Sequence, residues 1–521
     1  MIKYVFILIP LLFVNSVIIL ANAFNKQTGV IEGYIEVSTF FDGSQMSEEK
    51  CDGMVYRKVN ERYYFRQPES NTVNVKWYGA KGDGKTDDYD AIQKACAMPY
   101  NVYFPPGEYI IKKGYVKLRG GYTYYGDGKE KSIIIQRTAS DPKGLGGGGC
   151  FYVYSDDRNQ YVAGTQIKNL GFDGKVEEYG HGQWTHLLAF VGTENTLVED
   201  CGFYNFRGDG ILVSGGLSYM RVPQDIRHNK NVVIRNCLFD GGGLFLNRNG
   251  VSFIDVDGAV IDSCLFNRIG HKELVKSVGA VDVERDVAHS ITKNIKVVNS
   301  TFKQIFQVNT AGITIMMRSS NPGEIENFDF LNNTFDNCFW GIFLGNRVQK
   351  NRIISTHSDN ITIKNNSFTN NNVALTLEGK NVEVANNRLY GNGDMKSSVK
   401  VGMFGVLSDC TFRDNYFNNT GGLGCILVGS LYNSHFINNI FVKARDYSIF
   451  FFNDDTTHKN KLISNVTFLN NKSTESSIPF FYFGNNSNTK KSIFSESIIE
   501  KGNINDKGPM YFGERIRFKR Q

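Results

Sequence analysis

The sequence lacks most of the patterns that would place it at a glance. Its nine cysteines are scattered and odd in number, with no CxxC pair and no His–Cys cluster at metal-ligand spacing. That excludes a disulfide scaffold and makes no case for zinc or any other cofactor. Beyond the first 25 residues no stretch is apolar enough to span a bilayer as a helix. Charge of one sign is also scarce: 58 basic against 52 acidic residues leave a formal net charge of +6 over 521 residues. Such a balance does not repel an acidic polymer, but it is not the basic stripe of a nucleic-acid binder. Helix-forming runs are nearly missing between residues 130 and 475. What is present instead is 53 glycines, many asparagines and 13 % aromatic residues, a composition of short strands and turns in a chain long enough for one large domain or several.

The N-terminus, MIKYVFILIPLLFVNSVIILANAFN, sets Lys3 before an apolar run and Ala21-x-Ala23 after it. This order predicts a signal peptide over residues 1–23 and an exported, soluble mature chain, secreted, periplasmic or at the cell surface; so long an apolar run also fits an uncleaved anchor. Residues 24–72 read as a small β module with FFDGS as a turn. Residues 476–521 lose the rhythm of what precedes them and end in the basic GERIRFKRQ.

Between these ends the chain repeats itself. A β-branched alternation, a polar or Asn/Cys pair and a Phe recur as TLVEDCGF (to Phe203), VVIRNCLF (Phe239), AVIDSCLF (Phe266), IKVVNSTF (Phe302), FDFLNNTF (Phe335), ITIKNNSF (Phe368), VEVANNRL (Leu389), GVLSDCTF (Phe412) and SHFINNIF (Phe441). After each phrase comes a second short strand, such as GDGILVSG or VGAVDVER. Units of 21 to 36 residues made of strand and turn cannot bury an apolar face alone and must stack on their neighbours. Stacking at about 4.8 Å per coil puts equivalent residues above one another. The recurrent NN then reads as an Asn ladder at a turn, and Cys201, Cys237, Cys264 and Cys410 as small core residues. The predicted fold is all-β, a right-handed parallel β-helix over residues 73–475.

One phosphate-binding pattern is present. GAKGDGKT, Gly79 to Thr86, fits G-x-x-x-x-G-K-[ST]. However, Asp87 and Asp88 follow at once, where they repel phosphate and take up the free N–H groups of the turn. No nucleotide partner is expected. With Asp90 they instead open a short helix whose Ala91, Ile92 and Ala95 face one way, a plug for the solenoid's open end.

The segment VNVKWYGAKGDGKTDDYDAIQKAC…VYFPPGEYII (Val73 to Ile111) resembles the opening of the pectate-lyase-like right-handed parallel β-helix superfamily. IKNLGFDGK, FRGDGI, RNGVS and GAVDVE continue the likeness to about residue 320. The superfamily holds polygalacturonase-type hydrolases, pectate lyases, alginate epimerases and phage tailspike depolymerases. The resemblance implies a polysaccharide as substrate or ligand. It leaves open whether the protein is a hydrolase, a lyase or an adhesin-like binder. The assembly state is open too, a trimer being what a tailspike-like member forms. No run of three or four acids offers a calcium cage for lyase chemistry, and no Asp-Pro-His-Glu stretch of the epimerase kind is present.

Candidate chemistry gathers on VGAVDVERD. If Val281 and Val283 face inward, Asp282 and Glu284 point out, roughly 6.7 Å apart by the i, i+2 rise. That spacing suits an acid–base pair of an inverting glycosidase. Asp209 and Asn249 share the turn position before this strand in earlier repeats. Arg248, Arg318, Trp184 and His186 join Asp209 as candidate sugar contacts; His181 lies beside them, and Arg285 is a candidate partner for local carboxylates.

Overall fold

The computed structural model describes residues 23–25, 30–137, 149–157, 160–215, 227–243, 248–270, 278–285, 290–305, 310–316, 324–345, 359–391, 401–420, 426–445, 447–452, 463–484, 498–513 and 519–520. The signal segment up to residue 22 and the candidate Arg318 lie outside them.

Each coil carries three strands rather than two. One coil supplies Leu188–Val191, Thr193–Glu199 and Gly202–Tyr204 to a first, second and third sheet. The next supplies Ile211–Ser214, Asn229–Arg235 and Leu238–Asp240, each parallel to its predecessor. The pattern continues along the chain, with the first and second sheets running together round a corner. The architecture is a right-handed parallel β-helix, the hand that parallel crossovers take.

The extra strand escaped the sequence pattern because one residue turns the corner. IKVVNSTF straddles Thr292–Val298 and Thr301–Ile305, with Asn299 between them at φ 52°. Left-handed residues recur five apart, as in Asn327, Asn332, Asn337 and Asn360, Asn365, Asn370, positions where Asn is among the few tolerated side chains. Outside the corner, Asn327 Nδ2 donates to Asn294 Oδ1 at 2.8 Å and Asn360 Nδ2 to Asn327 Oδ1 at 2.9 Å. Inside, Asn333, Asn366, Asn387, Asn415, Asn439 and Asn471 form a buried ladder. Asn387 Nδ2 donates to Ile363 O (2.9 Å) and Asn415 Oδ1 (3.0 Å), and its Oδ1 accepts from the Asn366 N–H (2.9 Å). In earlier coils Cys201, Cys237 and Cys264 fill the same place, each thiol 3.6–3.7 Å from a carbonyl of the coil before.

The third sheet's Phe side chains form a continuous inner stack. Phe203, Phe239, Phe266, Phe302, Phe335 and Phe368 follow one another at 4.6–4.8 Å between ring centroids, within 9° of parallel. Phe412 is not in this stack. It pairs with Val384 and Phe436 in the second sheet, while Phe417 follows Leu389 in the third. Cys410, one residue before that second-sheet strand, shifts with it. The third-sheet phrase here is RDNYF, five residues after SDCTF and of the same pattern. The stack also runs past residue 475: Ile498–Lys501 and Tyr511–Gly513 pair in parallel with the coil before. The rhythm fades there because Ser473 and Asn505 succeed Phe441 in the third sheet.

At the N-terminal end, strands Tyr34–Glu36, Tyr56–Val59 and Arg62–Arg66 make an antiparallel sheet. Arg66, buried, lies 4.8 Å over the Trp77 ring and so ties that sheet to the first coil. Helix α1 (Tyr89–Ala97) caps the solenoid with Ile92, Ala95 and Cys96 buried. Asp88 does not cap the helix with its side chain. Its carboxylate instead accepts from the Lys81 and Gly82 N–H groups at 2.6 and 3.0 Å. Asp83 accepts from the N–H groups of Thr86 (2.8 Å) and Lys85 (2.9 Å), which pull its carboxyl down to about 2. Gly82 holds φ +61°, and a Cβ there would sit 2.8 Å from the Tyr109 ring. The glycine loop's donors are taken by its own acids.

Where the first sheet turns into the second, His228 Nδ1 lies 3.0 Å from both oxygens of Asp255. Asp255 is fully buried and also accepts from the Ile291 N–H at 3.2 Å. Its hydrogen bond raises the His228 pKa, with Asp257 adding to the shift and burial and Lys293 opposing it.

Two outcomes test this frame. Asn387→Ala strands the Asn366 N–H and the Ile363 carbonyl and is expected to destabilise by about 2–3 kcal/mol. Asn381→Gly, which keeps the left-handed turn and removes only the exposed ladder's hydrogen bond, should lower the urea midpoint less; equal losses would refute a special role for the inner ladder. For His228, a raised folded value means its stabilisation is full below the unfolded value of about 6.5 and fades as pH rises through the folded one. The stability gap between wild type and His228→Gln should therefore narrow on the alkaline side, and a pH-independent gap would count against the pair.

Candidate functional site

The site face is the outer side of the first sheet. Ile211, Val251, Val281, Ile313 and Ile342 stack in register and are buried. The residue before each also faces in. A Cβ on Gly210, Gly250, Gly312 or Gly341 would lie 2.8–3.1 Å from the Phe stack. Two inward residues in succession bend the chain, so the outward positions on either side are three residues apart instead of two.

Two outward columns result. The first runs His186, Asp209, Asn249, Gly279, Ala311, Trp340. The second runs Ala189, Leu212, Ser252, Asp282, Thr314, Phe343. Val283 is buried between Asp282 and Glu284, and both acids are half-buried on the outside, with Glu284 in register with Met316 and Gly345.

The columns place a continuous polar line across the coils. His186 Nδ1 lies 3.1 Å from both the Asp209 N and Oδ2. Asp209 Oδ1 accepts from the Asn249 N–H at 2.9 Å. Asn249 Nδ2 donates to Ser252 Oγ at 2.9 Å and to Asp282 Oδ2 at 3.0 Å, while its Oδ1 accepts from the Gly279 N–H at 2.9 Å. Asn249 thereby joins Asp209 to Asp282 across two coil steps, a bridge the sequence alone did not suggest. The clue was available in the shared repeat position of RGDGI and RNGVS, but strict alternation hid the three-residue spacing that lets Asn249 touch Ser252.

Asp209 is not a surface sugar contact: its side chain is 2 % exposed. Burial would push its carboxyl up, but the Arg248 charge, the His186 hydrogen bond and the Asn249 N–H outweigh that and hold it below the usual range. Arg248 Nη1 is 3.7 Å from Asp209 Oδ2 and donates to the Gln183 carbonyl at 3.3 Å. Buried His186 Nε2 and Arg248 Nε have no hydrogen-bond partner among the described residues. If His186 Nδ1–H donates to Asp209, Nε2 is a free base; if Nδ1 accepts from the Asp209 N–H, Nε2–H is a free donor. Trp184 stands edge-on to His186 at 6.3 Å, half-buried. His181 is half-buried beyond it. Arg285 is drawn away from the line into a 2.5 Å ion pair with Glu324.

Residues 72–268 match the family described as rhamnogalacturonase A/epimerase, pectate lyase-like, and residues 293–473 match the right-handed β-helix region. The preneck appendage protein of Bacillus phage PZA is 28 % identical over 181 residues, covering 33 % of this chain and 20 % of that protein. A probable rhamnogalacturonase A of Aspergillus oryzae is 33 % identical over 141 residues, 25 % of this chain and 27 % of that one. The chain thus matches about a quarter or less of either relative's length. The N-terminal fragment of bacteriophage phi29 gene product 12 superposes with a TM-score of 0.57 at 16 % identity, over 84 % of this chain and 80 % of that one. Laid end to end on one ladder of coils, the two matches give the chain a pectate-lyase-like segment over 72–268 and a right-handed β-helix region over 293–473.

Proposed function

We propose that this chain is an exported polysaccharide-active enzyme, a glycoside hydrolase cutting an acidic or complex glycan laid along the first sheet. The observation that carries the reading is the hydrogen-bonded line His186–Asp209–Asn249–Asp282, which ends on an outward carboxylate with Glu284 two residues on. Asn249 holds the Asp282 carboxylate in place, and Asp282 and Glu284 together serve as the acid–base pair around a water. Roughly 6.7 Å along the strand leaves room for that water, the arrangement of an inverting enzyme. Asp209 acts as a positioning residue, setting His186 and Asn249 without touching sugar. Arg248, whose side chain keeps 14 % exposure, offers hydrogen bonds to hydroxyl or carboxylate groups, and Trp184 a face for a sugar ring, while His186, as buried as Asp209, supports the line from within. The match to a probable rhamnogalacturonase supports a glycan substrate; export rests on Lys3 and the Ala21-x-Ala23 pattern.

A non-catalytic glycan-binding role is the second reading, favoured by the likeness to the phage appendage protein. A glycan panel scored for reducing ends and for unsaturated ends separates the two and exposes a lyase. Hydrolysis yields reducing ends without unsaturation, and Asp282→Asn and Glu284→Gln should each slow it by about 10²–10⁴-fold. Turnover that survives both substitutions would remove the pair from the mechanism, and binding without products would favour the second reading.

A further inference from the structure

Beyond the polar line the same two columns turn aromatic. Trp340 follows Gly279 and Ala311 in the first column, and Phe343 follows Asp282 and Thr314 in the second. Their ring centroids are 4.9 Å apart at 42°, and Phe339 packs edge-on to Trp340 at 4.9 Å and 79°. All three side chains are half-buried on the outside of the coil and take no part in the inner Phe stack. Single exposed apolar residues need no explanation, but three contiguous aromatic rings outside the core do.

Their surroundings are polar. Thr314 precedes and Thr376 follows Phe343 in register, and the Glu378 carboxylate stands 3.7 Å from where a Cβ on Gly345 would lie. Gly345 leaves the edge of the Phe343 ring uncovered on that side, its would-be Cβ 3.5 Å from the ring. An aromatic face with the half-buried Glu378 carboxylate at its edge matches a sugar, whose C–H face is apolar and whose edge carries hydroxyls. A protein partner would call for a wider apolar patch.

We propose that Trp340 and Phe343 form a sugar-stacking subsite for a glycan that runs along the helix axis from the Asp282 carboxylate. This rests on the polysaccharide reading above. Two coil steps separate Phe343 from Asp282, roughly 10 Å, wider than one pyranose ring. The occupant is therefore an oligosaccharide, bound at one place for chemistry and at another for grip.

The test uses the full chain carrying Asp282→Asn, so that binding is read without turnover. Calorimetry is run with rhamnogalacturonan oligosaccharides, oligogalacturonides and alginate oligosaccharides, each as a series of increasing length. Trp340→Ala should weaken the long members of the responsive series about 10-fold, the order of one aromatic contact, and leave the shortest binders unchanged. Trp340→Phe should restore most of the loss. Trp340→Leu and Phe343→Leu, which keep apolar volume without the ring, guard against a fold defect and should mirror Trp340→Ala. A loss equal at every length, or none at any, overturns the subsite alone. Failure of the unsubstituted chain to bind any series overturns the polysaccharide reading beneath it.

Discussion

Everything in this molecule depends on the coil-to-coil register. With successive coils about 4.8 Å apart, a side chain meets its counterpart in the next coil before it meets anything else. That spacing suits the face-to-face separation of stacked rings, so the inner Phe column repeats at 4.6–4.8 Å. It also suits a primary amide, which reaches a carbonyl one coil back with its N–H and takes the previous coil's Asn N–H on its oxygen. Buried amides are costly unless satisfied, and only a faithful register satisfies each Asn in the ladder. Cysteine in the N-terminal coils fills the same corner with a weaker donor.

The register also explains how the site is made. No loop needs to fold over to bring His186, Asp209, Asn249 and Asp282 together, because four consecutive coils each contribute one residue or two. A buried carboxylate such as Asp209 is expensive in isolation. Here Arg248, His186 and the Asn249 backbone offset that cost. The gain is orientation: Asn249 has every polar side-chain atom engaged, so the donor on Asp282 Oδ2 has little freedom to drift. Catalytic groups fixed in this way need less rearrangement when charge develops.

Much of this was legible in the sequence, and the parts that were not have physical reasons. The solenoid announced itself because stacked coils demand like residues at like places, and Val281, Val283, Asp282 and Glu284 fell on the sides that period-2 alternation assigns. Alternation failed at the bend before each first-sheet strand, where Gly210 and Ile211 both face inward to let the Phe stack close up. The three-residue spacing across the bend was therefore hidden, and the Asn249 bridge was missed. Phe412 was misplaced for a related reason: a left-handed residue turns the chain so sharply that phrases from the second and third sheets look alike. GAKGDGKT shows the converse. A letter pattern for anion binding is present, yet Asp83 and Asp88 occupy its donors.

Backbone pairing, the Asn ladders and the inner Phe column hold the coils together, so activity must be argued from the remaining outward positions. The likeness to a phage appendage protein and to a probable rhamnogalacturonase extends over 181 and 141 residues. Fold-level likeness cannot choose between cutting and holding. The choice lies in the outward positions of the first sheet. In this chain they change from a charged line at Asp209–Asp282 to an aromatic group at Trp340–Phe343 within a few coil steps. A surface meant only for solubility has no need of a buried carboxylate at one end of such a strip and uncovered rings at the other, whereas a surface that grips a polymer and acts on it needs both.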